Sequence, residues 1–196
     1  SRRRHTRWSG DWSSDVCSSD LKNSNIFLTQ LETPYKITSF TLQKAKLFKL
    51  TTILNPAPAM KILNKDFKNI DFFTPNETEA SYYYGKKISN NNDIKRAAKF
   101  FLKKGVKNVV ITLGSKGLYF LNKEQNFFLK AYKLKKKVID TTGAGDAFNG
   151  ALAFALSQNY TIKKSIYFSN KVAAVSTTKE GAANSMPTKK EMSKFD

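Results

Sequence analysis

Short apolar runs alternate with amphipathic stretches along most of this chain. Residues 25–28, 51–54, 70–74, 106–113 and 118–121 are β-prone segments bounded by polar, Gly or Pro positions, the pattern of buried strands. Between the first two, residues 35–48 place Ile37, Phe40, Leu42, Ala45, Leu47 and Phe48 on an approximate helical stripe. Residues 93–104 turn Ile94, Ala97, Ala98, Phe101 and Leu102 inward and stop at Gly105. Asn55-Pro56-Ala57-Pro58-Ala59 ends the second strand because neither strand nor helix continues through it. Pro75-Asn76 hands the third strand to a helix whose first turn holds Glu77 and Glu79. Gly114-Ser115-Lys116-Gly117 folds one strand back on the next, and residues 127–129 and 132–139 add strand-like pieces. A helical pattern spans 162–178, Gly181, Asn184 and Pro187 make a loop, and Thr188 is placed to cap a short last helix. Strands alternating with helices predict an α/β fold: a mostly parallel, doubly wound sheet covered on both faces, with an antiparallel edge supplied by the hairpin.

The densest chemistry lies in Asp140-Thr141-Thr142-Gly143-Ala144-Gly145-Asp146-Ala147-Phe148-Asn149-Gly150. A short apolar strand, Val138-Ile139, leads into it, and an unbroken apolar helix, residues 151–156, leads out. Small residues at a helix start leave N–H groups bare at the positive end of the helix dipole, which suits a phosphate. Asp146 would repel a phosphate, so its expected task is to take the proton of whatever attacks it. A GxG turn alone is an ordinary tight turn, and an Asp there is ordinary capping chemistry. The whole string is far more specific than either fragment. Glu32, Asn76, residues 112–117 and residues 140–146 each follow a strand, and ligand sites of open α/β sheets gather at that edge.

Composition changes the picture at one end. Residues 1–21 hold both tryptophans, the one histidine (His5), the one cysteine (Cys17) and a cluster of arginines without lysine; afterwards Arg96 stands alone among lysines. This head reads as a translated adapter or vector remnant and has no apolar core of a signal peptide, so it is set aside. The remainder then offers no imidazole or thiolate for metal or nucleophilic chemistry. The net charge of +19 admits a nucleic-acid role. The lysines are dispersed, though, with one dense run at 133–137, and no aromatic stacking motif is interleaved, so nucleic acid and membrane are not expected as partners.

With these motifs assembled, the chain resembles the ribokinase branch of the PfkB carbohydrate-kinase family. The residues that carry the resemblance are Gln30-Leu31-Glu32, the Asn-Pro-Ala-Pro-Ala string, Pro75-Asn76-Glu77-Thr78-Glu79-Ala80, Thr112-Leu113-Gly114-Ser115-Lys116-Gly117 and 140–150. It implies a cytoplasmic, ATP-dependent kinase that phosphorylates D-ribose at its 5-hydroxyl. Asp146 matches the base and a substrate contact, Gly143, Ala144 and Gly145 the anion hole, and Glu32 a ribose contact. Asn76, Thr112, Leu113, Gly114, Ser115, Lys116, Gly117, Gly145, Asp146 and Asn170 match ATP contacts. Asp140, Thr142, Ser176, Lys179, Gly181 and Ser185 match a monovalent-cation loop, with K⁺ implied and several ligands being backbone carbonyls. Mg²⁺ is implied with ATP.

The resemblance covers residue 25 to the C-terminus. The family's N-terminal half, with its glycine-rich sugar-binding stretch and the β lid that forms a homodimer, has no counterpart. The expectation is therefore residues 22–196 as the C-terminal part of a ribokinase-like three-layer αβα sandwich, with little kinase activity of its own. A kinase for another sugar or nucleoside, such as a fructokinase, and a non-catalytic nucleotide-binding fragment stand as alternatives.

Overall fold

A computed structural model describes residues 20–134 and 136–193. The unlike head lies outside the described residues except for Asp20 and Leu21, which are helical. Six strands form one sheet in sequential order: β1 (Ile26–Thr29), β2 (Thr51–Leu54), β3 (Phe72–Phe73), β4 (Asn108–Thr112), β5 (Leu118–Leu121) and β6 (Asn126–Leu129). β1 to β4 run parallel, and β4–β5–β6 are antiparallel, which is the edge that the turn at 114–117 predicts.

Strand alternation divides the core into two layers. Leu54, Phe73, Val109, Ile111 and Tyr119 face one side, where α1 (Tyr35–Leu47), α2 (Glu77–Tyr84) and α3 (Asn91–Lys103) pack. Their neighbours Ile53, Phe72, Val110, Leu118 and Phe120 face the other, against α4 (Ala144–Ser157) and α5 (Ile162–Ser176). A period of two in a sheet covered on both sides requires apolar residues at every position, which is why these strands read as continuous apolar runs. Phe73 anchors its layer edge-on to Phe67, Tyr83 and Phe101, with centroids 5.8, 5.7 and 5.0 Å away. The result is helix, sheet, helix. A short α6 (Lys189–Met192) starts at Thr188, whose hydroxyl accepts from the Glu191 N–H.

Two expectations change. Residues 132–139 are not a strand: none of the described positions there pairs with the sheet, and Val138 and Ile139 are 51 % and 62 % exposed. A lysine run repels itself, and alternation without a burying partner does not hold a strand. The Ile139 N–H bonds instead to the Thr177 carbonyl at 2.8 Å. The apolar helix also begins earlier than residue 151, because the Gly-Ala-Gly turn is itself the first turn of α4.

At the amino ends of the parallel strands, Asp71 is buried and joins three elements. Its carboxylate lies 2.6 Å from Lys46 Nζ and 2.7 Å from Lys107 Nζ, and accepts from the Thr52 N–H at 2.9 Å. Burial pushes this carboxyl up, but the hydrogen bonds from Lys107, Lys46 and Thr52 outweigh it and hold the acid below its ordinary 3.8. A carboxyl lowered by folding gives stability that is present above its unfolded pKa and is lost as pH falls through the folded one. Chemical denaturation should thus show Asp71→Asn less stable than wild type at pH 7, with the gap closing below about pH 4. A gap of constant size down to pH 2 would refute that linkage.

Candidate active site

The left-handed φ of 74° at Gly143 lets the chain turn sharply from residues 140–142 into α4. A Cβ built there would sit 3.0 Å from the Cα of Ala182, so glycine is needed for space as well as for conformation. The Ala144 N–H is donated to the Thr141 carbonyl at 3.2 Å, and the Ala147 N–H to Gly143 at 2.8 Å. Between them, the N–H groups of Gly145 and Asp146 find no acceptor among the described residues. Both residues are exposed, and apart from its chain neighbours and the helix's own nearby backbone no atom lies within 4 Å of where a Gly145 Cβ would stand. The Gly143 N–H likewise finds no acceptor among the described residues, so of Gly143, Ala144 and Gly145 only Ala144 commits its N–H to the turn, and Asp146 adds a further bare amide. The fourteen-residue helix that these residues open adds its dipole.

Asp146, the third residue of α4, meets the sheet through Gln30. The Gln30 Nε2 donates to Asp146 Oδ1 at 2.8 Å, from the loop directly after β1. Oδ2 takes no hydrogen bond among the described residues. Leu28, Thr29, Gln30, Asp146, Asn149 and Gly150 line a cleft of about 270 Å³ beside this carboxylate. Glu32, two positions beyond Gln30, is exposed and makes no hydrogen bond or ion pair among the described residues. Beneath the cleft, the buried Asn149 accepts from the Thr74 hydroxyl at 2.7 Å and donates to the Gly145 carbonyl at 2.9 Å. Gln30 and Asn149 stand inside strings that the sequence marks, but neither they nor Thr74 had a role assigned there. The four-residue spacing of Gly145 and Asn149 is visible there, but the partners across the sheet are not.

The positions matched to ATP contacts also gather at the carboxyl edge. Asn76 caps α2, its side-chain oxygen taking the Glu79 N–H at 2.8 Å while Glu79 answers to the Asn76 N–H at 2.9 Å. Burial raises the Glu79 carboxyl above its ordinary value, against that hydrogen bond. Asn76 bridges to Thr112, whose N–H bonds Pro75 at 2.9 Å, so the ends of β3 and β4 are tied together. Lys116 reaches to 3.9 Å from Glu77. In the same turn, Leu113 donates to the Gly117 carbonyl at 2.8 Å, and Gly114, Ser115 and Lys116 form a single 3₁₀ turn. Gly117 lies against the backbone of residues 129–131, and Asn170 on α5 donates to the Lys130 carbonyl at 2.9 Å. Thr112 to Gly117 and Asn170 thus approach one strip of chain from two sides.

Asp140 pins the candidate cation loop. Its Oδ1 takes the Thr142 N–H at 2.8 Å and its Oδ2 the Gly181 N–H at 3.0 Å. The Asp140 carboxyl is held low by hydrogen bonds from Thr142 and then Gly181. Ser176 and Ser185 are buried and donate to the carbonyls of Ala173 and Ala182 at 2.8 and 2.7 Å. The Lys179 ammonium is drawn off to Glu191, 2.5 Å away, which leaves its main chain in the loop and its charge outside it.

The profile of the pfkB family of carbohydrate kinases matches residues 23–189. The ribokinase of Haemophilus influenzae is 38 % identical over 175 residues, covering 89 % of this chain and 56 % of the relative. Among solved structures, the ribokinase of Thermotoga maritima superposes with a TM-score of 0.81 at 36 % identity, over 91 % of this chain and 58 % of that one. Arabidopsis thaliana ribokinase, solved with ribose and ATP, gives 0.88 at 31 % identity, over 93 % and 59 %. The chain thus spans little more than half the length of the relatives it matches.

Proposed function

The chain belongs to the pfkB family of carbohydrate kinases, and on that premise we propose that it carries the ATP-side and base-bearing part of a D-ribose kinase. The observation that carries the proposal is Asp146, one oxygen steadied by Gln30 and the other open, beside the unpartnered N–H groups of Gly145 and Asp146. In this reading the 5-hydroxyl of ribose approaches Oδ2 and gives up its proton as its oxygen bonds to the γ-phosphorus of ATP. The bond from that phosphorus to the ADP oxygen breaks, and the electron pair leaves with ADP. The amides of Gly145 and Asp146 then face the charge that develops on the migrating phosphoryl group, where prealigned donors act most strongly. Asn76, the 112–117 turn and Asn170 border the nucleotide.

Mg²⁺ bound with ATP supplies charge neutralisation at the phosphates and is held largely by them and by water. The 140–142, 176–181 and 185 segments offer carboxylate, hydroxyl and carbonyl oxygens, and the Lys179 ammonium is paired with Glu191, a set that fits K⁺. That loop abuts the cradle directly, since Gly143 touches Ala182.

Both Gly145 and Asp146 are open to solvent in the chain as given, and phosphoryl transfer needs water kept away from the reacting atoms. We therefore expect ATP binding but little ribose-dependent ADP release from these 196 residues. A coupled ADP-release assay showing turnover near that of the full-length Haemophilus influenzae relative would refute the second half. Running it with D-ribose, 2-deoxyribose and fructose on a full-length version tests the sugar; a preference for fructose would refute ribose.

A further inference from the structure

The Thr74–Asn149–Gly145 chain of hydrogen bonds ends on a particular peptide group. The Gly145 carbonyl and the Asp146 N–H belong to the same planar unit. Donation from Asn149 Nδ2 into that carbonyl, at 2.9 Å, draws electron density toward the oxygen and strengthens the N–H at the other end. Thr74, one residue past β3, fixes which way the Asn149 amide faces by donating to its oxygen at 2.7 Å. Asn149 is only 5 % exposed and Thr74 only 3 %, so water does not replace either partner. With both ends paired, the buried amide is held in one orientation, and losing either partner would leave a buried polar group unsatisfied.

We propose that Thr74 and Asn149 are positioning residues: they orient and polarise the Gly145–Asp146 peptide so that its N–H points into the phosphate site. The inference rests on the reading of the Gly145 and Asp146 amides as a phosphate cradle, and the two fail differently. The test is titration of the ¹⁵N-labelled chain with inorganic phosphate at about 0.15 M salt, where non-specific attraction to a basic surface is screened, following individual backbone amides. In wild type the Gly145 and Asp146 signals should shift and saturate, while the Ala147 N–H, bonded to Gly143, stays put. Thr74→Val removes the hydroxyl at equal volume and should raise the dissociation constant read at those two amides about fivefold, the size of one lost hydrogen bond. Thr74→Ser keeps the hydroxyl and should restore it, which a role in packing alone would not do. Equal constants in wild type and Thr74→Val overturn the positioning role and leave the cradle standing. No response of Gly145 and Asp146 in wild type overturns the cradle, and the positioning role with it. Should Thr74→Val fail to fold, hydrogen exchange of the Asn149 side-chain NH₂ in wild type decides: protection supports the proposal, and exchange at the rate of a free amide overturns it.

Discussion

Asp146→Asn in a full-length version of this protein should lower ribose-dependent ADP formation by about 10²- to 10⁴-fold, the range that a positioned general base contributes. Asparagine keeps the shape and can still pair with Gln30, so the cleft beside it should persist. What it loses is the ability to take the hydroxyl proton at the moment the oxygen attacks. The Asp146 main-chain N–H is untouched, as is that of Gly145, so ATP affinity should change less than about threefold, within what an exposed charge contributes through solvent. The paired readout is ADP release together with calorimetric ATP binding. If kcat is unchanged, the base assignment is wrong. Loss of ATP binding along with activity would instead place Asp146 in nucleotide binding and leave the proton step without an owner.

Gly117→Ala should be the most damaging single methyl group in the 114–117 turn. Gly117 has a φ of 102°, which side chains disfavour, and its Cβ would lie 1.9 Å from the Leu129 carbonyl oxygen and 2.6 Å from the Ala131 nitrogen. All the obstructing atoms are backbone, so no rotamer change relieves the contact. Either β6 moves off β5 or the turn after β4 reopens. Backbone strain and overpacking together should cost about 3 kcal/mol or more, a fall of roughly 6–12 °C in Tm for a chain of this size. Gly114→Ala, also at positive φ but with open space around it, is the control and should cost about 1 kcal/mol. Equal melting temperatures for the two variants would show that β6 is not held against the turn. Because Asn170 binds Lys130 in the same strip, Gly117→Ala should also weaken ATP binding.

The αβα architecture and its antiparallel edge were legible in the chain because apolar runs between Pro, Gly and Asn stops dictate buried strands whatever their order. The Asn76 cap and the Asp140–Gly150 string were legible because each is a short run of residues contiguous or nearly so in the chain. The 132–139 misreading shows the limit, since alternation without a surface to bury it resembles a strand only on paper. That Ala144 spends its N–H inside the turn also escaped the sequence. Ala144 turns its N–H back to Thr141, three residues away, whereas Gly145 and Asp146 do not, and small residues look alike until the turn closes. The long-range partners needed tertiary structure altogether. Gln30 and Asp146 stand 116 positions apart, and Thr74 and Asn149 stand 75 apart. Layers, turns and the place of the acid thus follow from neighbours along the chain, whereas what holds that acid and its adjoining amides depends on how α4 packs across the ends of β1 and β3, because hydrogen bonds between distant residues form no pattern along a chain.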